Sequence, residues 1–130
     1  MREAAELPLG RGREELRAAE ALLEAGFPAQ AVSRAYLAGY HAASAALSVL
    51  GESPATSVGV ISAFGRHVVA EERGVDHETG RILRRLFEDR NEVDYGLAEA
   101  PVDEARGAVE DAARFVEATA SWIAGGSNAA

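Results

Sequence analysis

A chain of 130 residues fits one domain better than two, and a 48% share of hydrophobic residues supplies a core that, with aromatics at 6%, must be filled by Ala, Leu, Val and Ile. Cysteine is absent, which excludes a disulfide framework and a thiolate metal site; no stretch reaches the roughly 18 apolar residues of a membrane span. The net charge of −8, from 13 basic side chains (all Arg) against 21 acids, argues against a broad nucleic-acid-binding surface, which is normally basic. A small local RNA site, assembled from two subunits, stays open. Met1 to Leu9 carries acids and no apolar run, so no signal peptide is expected and the chain reads as cytoplasmic.

Helix-favouring Ala, Leu, Glu and Arg dominate the sequence. Pro8-Leu9-Gly10 is expected to close a short lead, with a first helix from about Gly12 to Ala25 that places Leu16, Ala19 and Leu23 on one face. Gly26 suits the end of that helix and Pro28 the start of the next, so the two should form an antiparallel hairpin. The second helix, about Pro28 to Leu50, carries Val32, Tyr36, Tyr40, Ala43, Leu47 and Leu50 at alternating steps of four and three, with Ala and Gly on its other faces. A helix apolar nearly all round is a central, buried one, and its small residues allow neighbours to come close.

Gly51 to Ser57 reads as a loop, with Thr56 or Ser57 as cap of a third helix running to about Glu72; Val60, Ile61, Phe64 and Val68 point inward, and Arg73-Gly74 stops it. Asp76 caps a fourth helix ending near Tyr95 or Leu97. Pro101 interrupts the chain, and a fifth helix begins at Asp103 with Ala105, Val109, Ala112, Val116 and Ile123 as its core face. The expectation is all-α: an antiparallel up-and-down bundle of four to five helices over residues 1–124, followed by a disordered tail at 125–130. Dimerisation is expected as well, because helix 2 carries more apolar surface than one layer of neighbours easily covers.

The fourth helix holds the unusual chemistry. At about 100° per residue, Leu83, Leu86, Phe87, Val93 and Leu97 flank Arg90, which therefore sits inside the apolar stripe. A guanidinium there is costly unless paired, and Asp94, four residues on, is its natural partner. Arg84, Asn91 and Tyr95 form a second polar line beside it. Such a pair serves equally well as a packing device that selects one arrangement of helices. Tyr36 and Tyr40 read as core aromatics with bonded hydroxyls and His41 as a structural histidine among alanines. His67 and His77 read as surface residues, and Arg81, Arg84 and Arg85 as a solvated face able to meet phosphate.

Two stretches resemble a known family. Ala31-Val-Ser-Arg-Ala-Tyr-Leu-Ala-Gly-Tyr-His-Ala-Ala43 is similar to the second helix of HEPN proteins, and Leu86-Phe-Glu-Asp-Arg-Asn-Glu-Val-Asp-Tyr95 is similar to their Leu-Phe-x-x-Arg-x-x-Ala-Asp-Tyr signature; with the helix order, the likeness covers most of the chain. The resemblance implies a bundle that dimerises around a shared cleft. It implies no metal or cofactor, and often metal-independent cleavage of RNA by a toxin paired with a nucleotidyltransferase antitoxin. By position, Arg90 matches the family arginine that meets the scissile phosphate and Asn91 the polar residue after it. Arg90, Asn91 and Tyr95 are thus the candidate catalytic set, supported by Asp94, His41 and Tyr36. The chain departs from the nuclease pattern where a His is expected: Tyr95 stands five residues after Arg90. An imidazole titrates near pH 6.5 and exchanges protons at neutrality, whereas a phenol titrates near 10. Two roles follow: a toxin-type component that binds RNA or a nucleotide in a dimer cleft, or an active ribonuclease. A purely structural dimer is the remaining alternative. In related pairs a tyrosine near the motif accepts an adenylyl group, which makes Tyr95 the candidate acceptor here.

Overall fold

The computed structural model describes residues 3–70, 74–96 and 99–125. Within them the chain is helical: α1 Glu3–Glu24, α2 Pro28–Val49, α3 Ser57–Phe64 continuing into a π turn Gly65–Val69, α4 His77–Tyr95 and α5 Val102–Ala124. The all-α antiparallel bundle expected from the sequence is therefore present. No helix is long and apolar enough to cross a membrane among the described residues. Residues 126–130, where a disordered tail was expected, lie outside the described residues, as do Glu72, Arg73 and Leu97.

Helix α2 is the hub, packed against α1, α3, α4 and α5. Alanines 31, 35, 38, 42, 43, 45 and 46 are all fully buried in it, together with Val32, Tyr36 and Leu47. The all-round apolar surface of α2 is thus covered by its own chain. The sequence-based argument that this surface calls for a second copy loses its footing, although Tyr40 stays half-buried and Leu50 is exposed.

The helix-1 boundary differs from expectation. The helix starts at Glu3 and runs through Pro8. Proline there removes one backbone donor near the start of a helix. The extra turns bury Ala5 and bring Leu9 against the core, which offsets the lost bond. Farther along, α1 lies directly on α2: a Cβ added at Gly12 would sit 3.0 Å from the Ala38 carbonyl oxygen and 3.3 Å from the Ala42 amide nitrogen. Only a residue without a side chain permits that approach.

Helix α3 also ends differently. Thr56 caps it, accepting from the Gly59 amide at 2.9 Å. Its inward residues Val60, Ile61, Phe64 and Val68 are buried as expected. The helix widens after Phe64 into the π turn, closed by a bond from the Ala70 amide to the Gly65 carbonyl at 3.1 Å. Asp76 caps α4 as predicted, accepting from the Thr79 amide at 2.9 Å. Helix α4 runs antiparallel to α2, so that Leu83 and Leu86 lie opposite Gly39, Phe87 and Arg90 opposite Tyr36, and Asp94 opposite Ser33. Every core residue assigned to helix 5 is buried, and Phe115 and Trp122 join them.

Gly12→Val drives two methyl groups into the α2 backbone. Overpacking of this kind costs about 2 kcal/mol, and a lower urea midpoint with unchanged helical circular dichroism is the expected result; an unshifted midpoint would mean that α1 and α2 stand farther apart.

Candidate functional site

The two sequence motifs meet across α2 and α4. Ser33 donates from its hydroxyl to Asp94 Oδ1 at 2.6 Å, and Arg90 Nε donates to Asp94 Oδ2 at 3.0 Å. Asp94 is thus held through both oxygens and fixes the guanidinium in turn. The Arg90 guanidinium carbon lies 5.2 Å from the Tyr36 ring centre and 5.8 Å from that of Tyr95. Each such cation–π contact stabilises by about 0.5–1 kcal/mol at a partly exposed site. The Arg90 side chain is 25% exposed and that of Asp94 33%. Arg90 therefore faces the surface as well as the core, because α4 has reached the rim of α2 at this point. Its two terminal nitrogens make no hydrogen bond among the described residues.

Tyr36 forms the floor. It is 1% exposed and packs on Tyr40 (6.0 Å between ring centres) and Phe87 (5.7 Å). The expectation of a bonded hydroxyl fails: the Tyr36 oxygen is buried and makes no hydrogen bond among the described residues. Burial raises its pKa above the ordinary phenol value, against the opposing pull of the nearby Ser57 hydroxyl and the Arg90 charge. Tyr95 stands opposite Tyr36 on the solvent side, 76% exposed. Asn91 is half-buried on the same helix and makes no side-chain hydrogen bond among the described residues.

His41 meets this group only at its edge, its ring edge-on to that of Tyr40 with 5.4 Å between centres. Its pKa is lowered first by burial and then by Arg11 of α1, with Glu15 opposing. No contact links it to Arg90 among the described residues. The shift favours the neutral imidazole, which lies beside the Tyr40 ring on the α1 side of α2. Ser33, which anchors Asp94, does not stand out in the sequence although it lies in the Ser-Arg-Ala-Tyr segment; its place one turn before Tyr36 is the available signal. Phe87 was assigned to the core, and it also carries the Tyr36 ring.

An acidic cleft of about 380 Å³ lies on another side of α4, where Asp89, Glu92, Glu99, Glu104 and Asp111 line the gap between α4 and α5. Burial and the neighbouring carboxylates Glu92, Glu104 and Glu88 push Asp89 above the usual carboxylate range, with Arg85 opposing. Arg85 is exposed, as expected of a solvated face, and also pairs with Asp111 at 3.6 Å.

Tyr36→Phe deletes a buried hydroxyl without a partner. Stability should hold or rise by up to about 1 kcal/mol, whereas Tyr36→Ala should cost about 3–5 kcal/mol; a marked loss with phenylalanine in thermal unfolding would reveal a bonded hydroxyl. Asp89 takes up its proton more readily folded than unfolded, so its charge penalises folding above the carboxylate range, and the penalty disappears as pH falls through it. Asp89→Asn should therefore stabilise by about half a kcal/mol at pH 7, allowing for solvent screening, and the gain should vanish below about pH 4 in denaturant titrations run at both pH values.

Comparison with known proteins agrees with this assembly of motifs. A protein of Methanocaldococcus jannaschii named "putative toxin" is 34% identical over 104 residues, covering 80% of this chain and 77% of its own. A Thermotoga maritima protein named "UPF0332 protein" is 35% identical over 114 residues, covering 87% and 86%. The family model described as HEPN domain matches residues 5–122, and the chain belongs to the HEPN family.

Proposed function

We propose that this chain is the toxin-like member of a two-component system and that Arg90 holds a phosphate of RNA or of a nucleotide in a cleft completed by a second copy of the chain. One observation carries the proposal: Arg90 is oriented by the Ser33–Asp94 relay and by two rings, yet keeps its terminal nitrogens unbonded at the surface. A guanidinium that only stabilises packing would be expected to spend those donors inside the protein. Phosphate matches the planar fork they present. Support for a toxin-like role comes from family membership and from the name of the Methanocaldococcus relative. In the proposed assembly two copies pair over the Tyr95 end of α4, and the exposed Tyr95 ring is the surface that pairing covers. A nucleotidyltransferase is the partner proposed for the second component, with Tyr95 as an accessible acceptor.

Binding is favoured over turnover because His41, the imidazole of α2, contacts Tyr40 but not Arg90 among the described residues. Cleavage of RNA needs a group that takes a proton from the attacking hydroxyl near neutral pH, and Arg90, Asp94 and Tyr95 supply a clamp rather than that base. The test uses purified protein in EDTA with a labelled RNA oligonucleotide, Arg90→Ala in parallel, and light scattering on both. The expected outcome is a folded dimer that binds the RNA without cutting it, with affinity about tenfold lower in the variant, the loss of roughly one charge-assisted contact. Cleavage abolished in Arg90→Ala would make the protein a metal-independent ribonuclease; equal binding by the two proteins, or a monomer, would sink the shared-cleft assembly.

A further inference from the structure

On the side of α4 away from Arg90 lies a shallow groove of about 510 Å³ between the π turn and the first half of α4. Its lining includes Arg66 from the π turn and His77, Arg81 and Arg84 from α4, and no acidic residue among those described. The α4 residues recur at steps of four and three, which puts them on one face. At about 100° per residue, that face stands roughly 120° to 180° around the helix from Arg90. The groove is therefore separate from the Tyr36–Tyr95 site.

Its charge is unusual for this chain. Of the 13 arginines set against 21 acids, six are in ion pairs among the described residues: Arg13, Arg34, Arg85, Arg90, Arg106 and Arg114. Arg81 and Arg84 have no ion-pair partner among the described residues, and Arg66 donates only to the uncharged Ser62 hydroxyl at 2.7 Å. Three guanidinium groups thus border one concavity whose described lining holds no acid. The fold holds them together by a tight contact: a Cβ at Gly80 would lie 2.6 Å from Val69 Cγ2, so the π turn sits directly on α4 and Arg66 is brought beside the Arg81–Arg84 face.

We infer that this groove is a second anion site, which takes the phosphodiester backbone of single-stranded RNA through Arg66, Arg81 and Arg84. The inference rests on the proposed RNA-binding role of the chain but not on the Arg90 cleft. A backbone is favoured over a single phosphate because the groove is open and its cations are spread out, with Arg81 and Arg84 one helical turn (about 5 Å) apart on α4 and Arg66 across the groove on the π turn. An enclosed pocket converging on one point would suit a lone phosphate better. The occupant must also tolerate an acidic molecule around it, and a local cluster of arginines does so by releasing counterions from the strand at that spot alone.

The test measures fluorescence anisotropy of a labelled oligouridylate across a salt series, with calorimetry of adenosine monophosphate as a second probe. Four proteins are compared: the wild type, Arg81→Ala/Arg84→Ala, Arg90→Ala, and Arg11→Ala/Arg17→Ala. The last is a control that removes two other exposed arginines without ion pairs, far from the groove. The expected result is an affinity about tenfold lower in the Arg81/Arg84 variant and a salt slope shallower by about 1.4, two single-strand contacts at roughly 0.7 each. The Arg11/Arg17 control keeps the wild-type slope, and the Arg81/Arg84 change persists in the Arg90→Ala background. An unchanged slope in the Arg81/Arg84 variant, an equal change in the Arg11/Arg17 control, or no oligonucleotide binding by the wild type overturns the groove. Loss confined to adenosine monophosphate overturns the backbone assignment. If Arg90→Ala alone weakens binding, the cleft stands and the groove falls; if the Arg81/Arg84 variant alone does so, the reverse holds.

Discussion

Close approach of α1 to α2 sets the dimensions of everything else. With Gly12 against the α2 backbone and a run of buried alanines along the hub, α2 has almost no side-chain bulk on most of its surface, and its neighbours settle at short distances around it. Such a core gains stability from many small contacts rather than from a few large residues. It tolerates added volume poorly, because a close-packed interior has no slack to absorb it. The one large residue fully buried on α2 besides Leu47 is Tyr36, and it lies where α4 crosses. The ring needs space that the alanines elsewhere do not, and its upper face carries Arg90. The polar cluster thus occupies the place where the small-residue packing of the hub gives way.

Helix α4 separates three electrostatic environments. Acids gather on the α5 side, where Asp89 is driven toward its neutral form by burial and by its neighbours. Unpaired arginines gather toward the π turn. Between them Arg90 and Asp94 neutralise each other. A net charge of −8 hides this segregation, which is why the overall balance argued against polyanion binding while a local surface argues for it. Fields at a protein surface follow the nearest charges within a Debye length of about 10 Å at moderate ionic strength, so a distant acidic face does little to cancel the groove.

Much of this was legible in the sequence, for physical reasons that differ by element. The hub was readable because a helix surrounded by protein must be apolar on nearly all sides, and α2 is the long helix with that pattern. The caps at Thr56 and Asp76 were readable because their side chains satisfy helix donors by a local rule. The Arg90–Asp94 pair followed from helical spacing alone. The start of α1 was not readable: Pro8 argues locally for a break, and what overrides it is burial of Ala5 and Leu9 against residues distant in sequence. The π turn left no periodic trace in five residues. The unbonded Tyr36 hydroxyl and the α1-facing His41 depend on where other helices lie, which periodicity cannot supply. The same holds for the groove: three arginines read as a solvated face until the π turn is seen to bring Arg66 beside them.

The relation between Arg90 and Asp94 limits what the cleft can do alone. A ligand phosphate arriving there meets a guanidinium that is already oriented, which saves the entropy of ordering a long side chain, but also one whose charge is largely answered by a carboxylate 3.0 Å away. The phosphate must share the guanidinium with Asp94 or displace it, and displacement would break the Ser33 bond as well. Arg90 is thus suited to defining where a phosphate sits rather than to drawing it in from solution. Long-range attraction has to come from charges without a carboxylate partner, and among the described residues Arg66, Arg81 and Arg84 on the far side of α4 have none. A strand drawn in by that face could be positioned by Arg90. On the proposed reading the two sites differ in kind: the groove would contribute salt-dependent affinity, and Arg90 geometry. A single acidic helical bundle can accommodate both because α4 presents them on different sides.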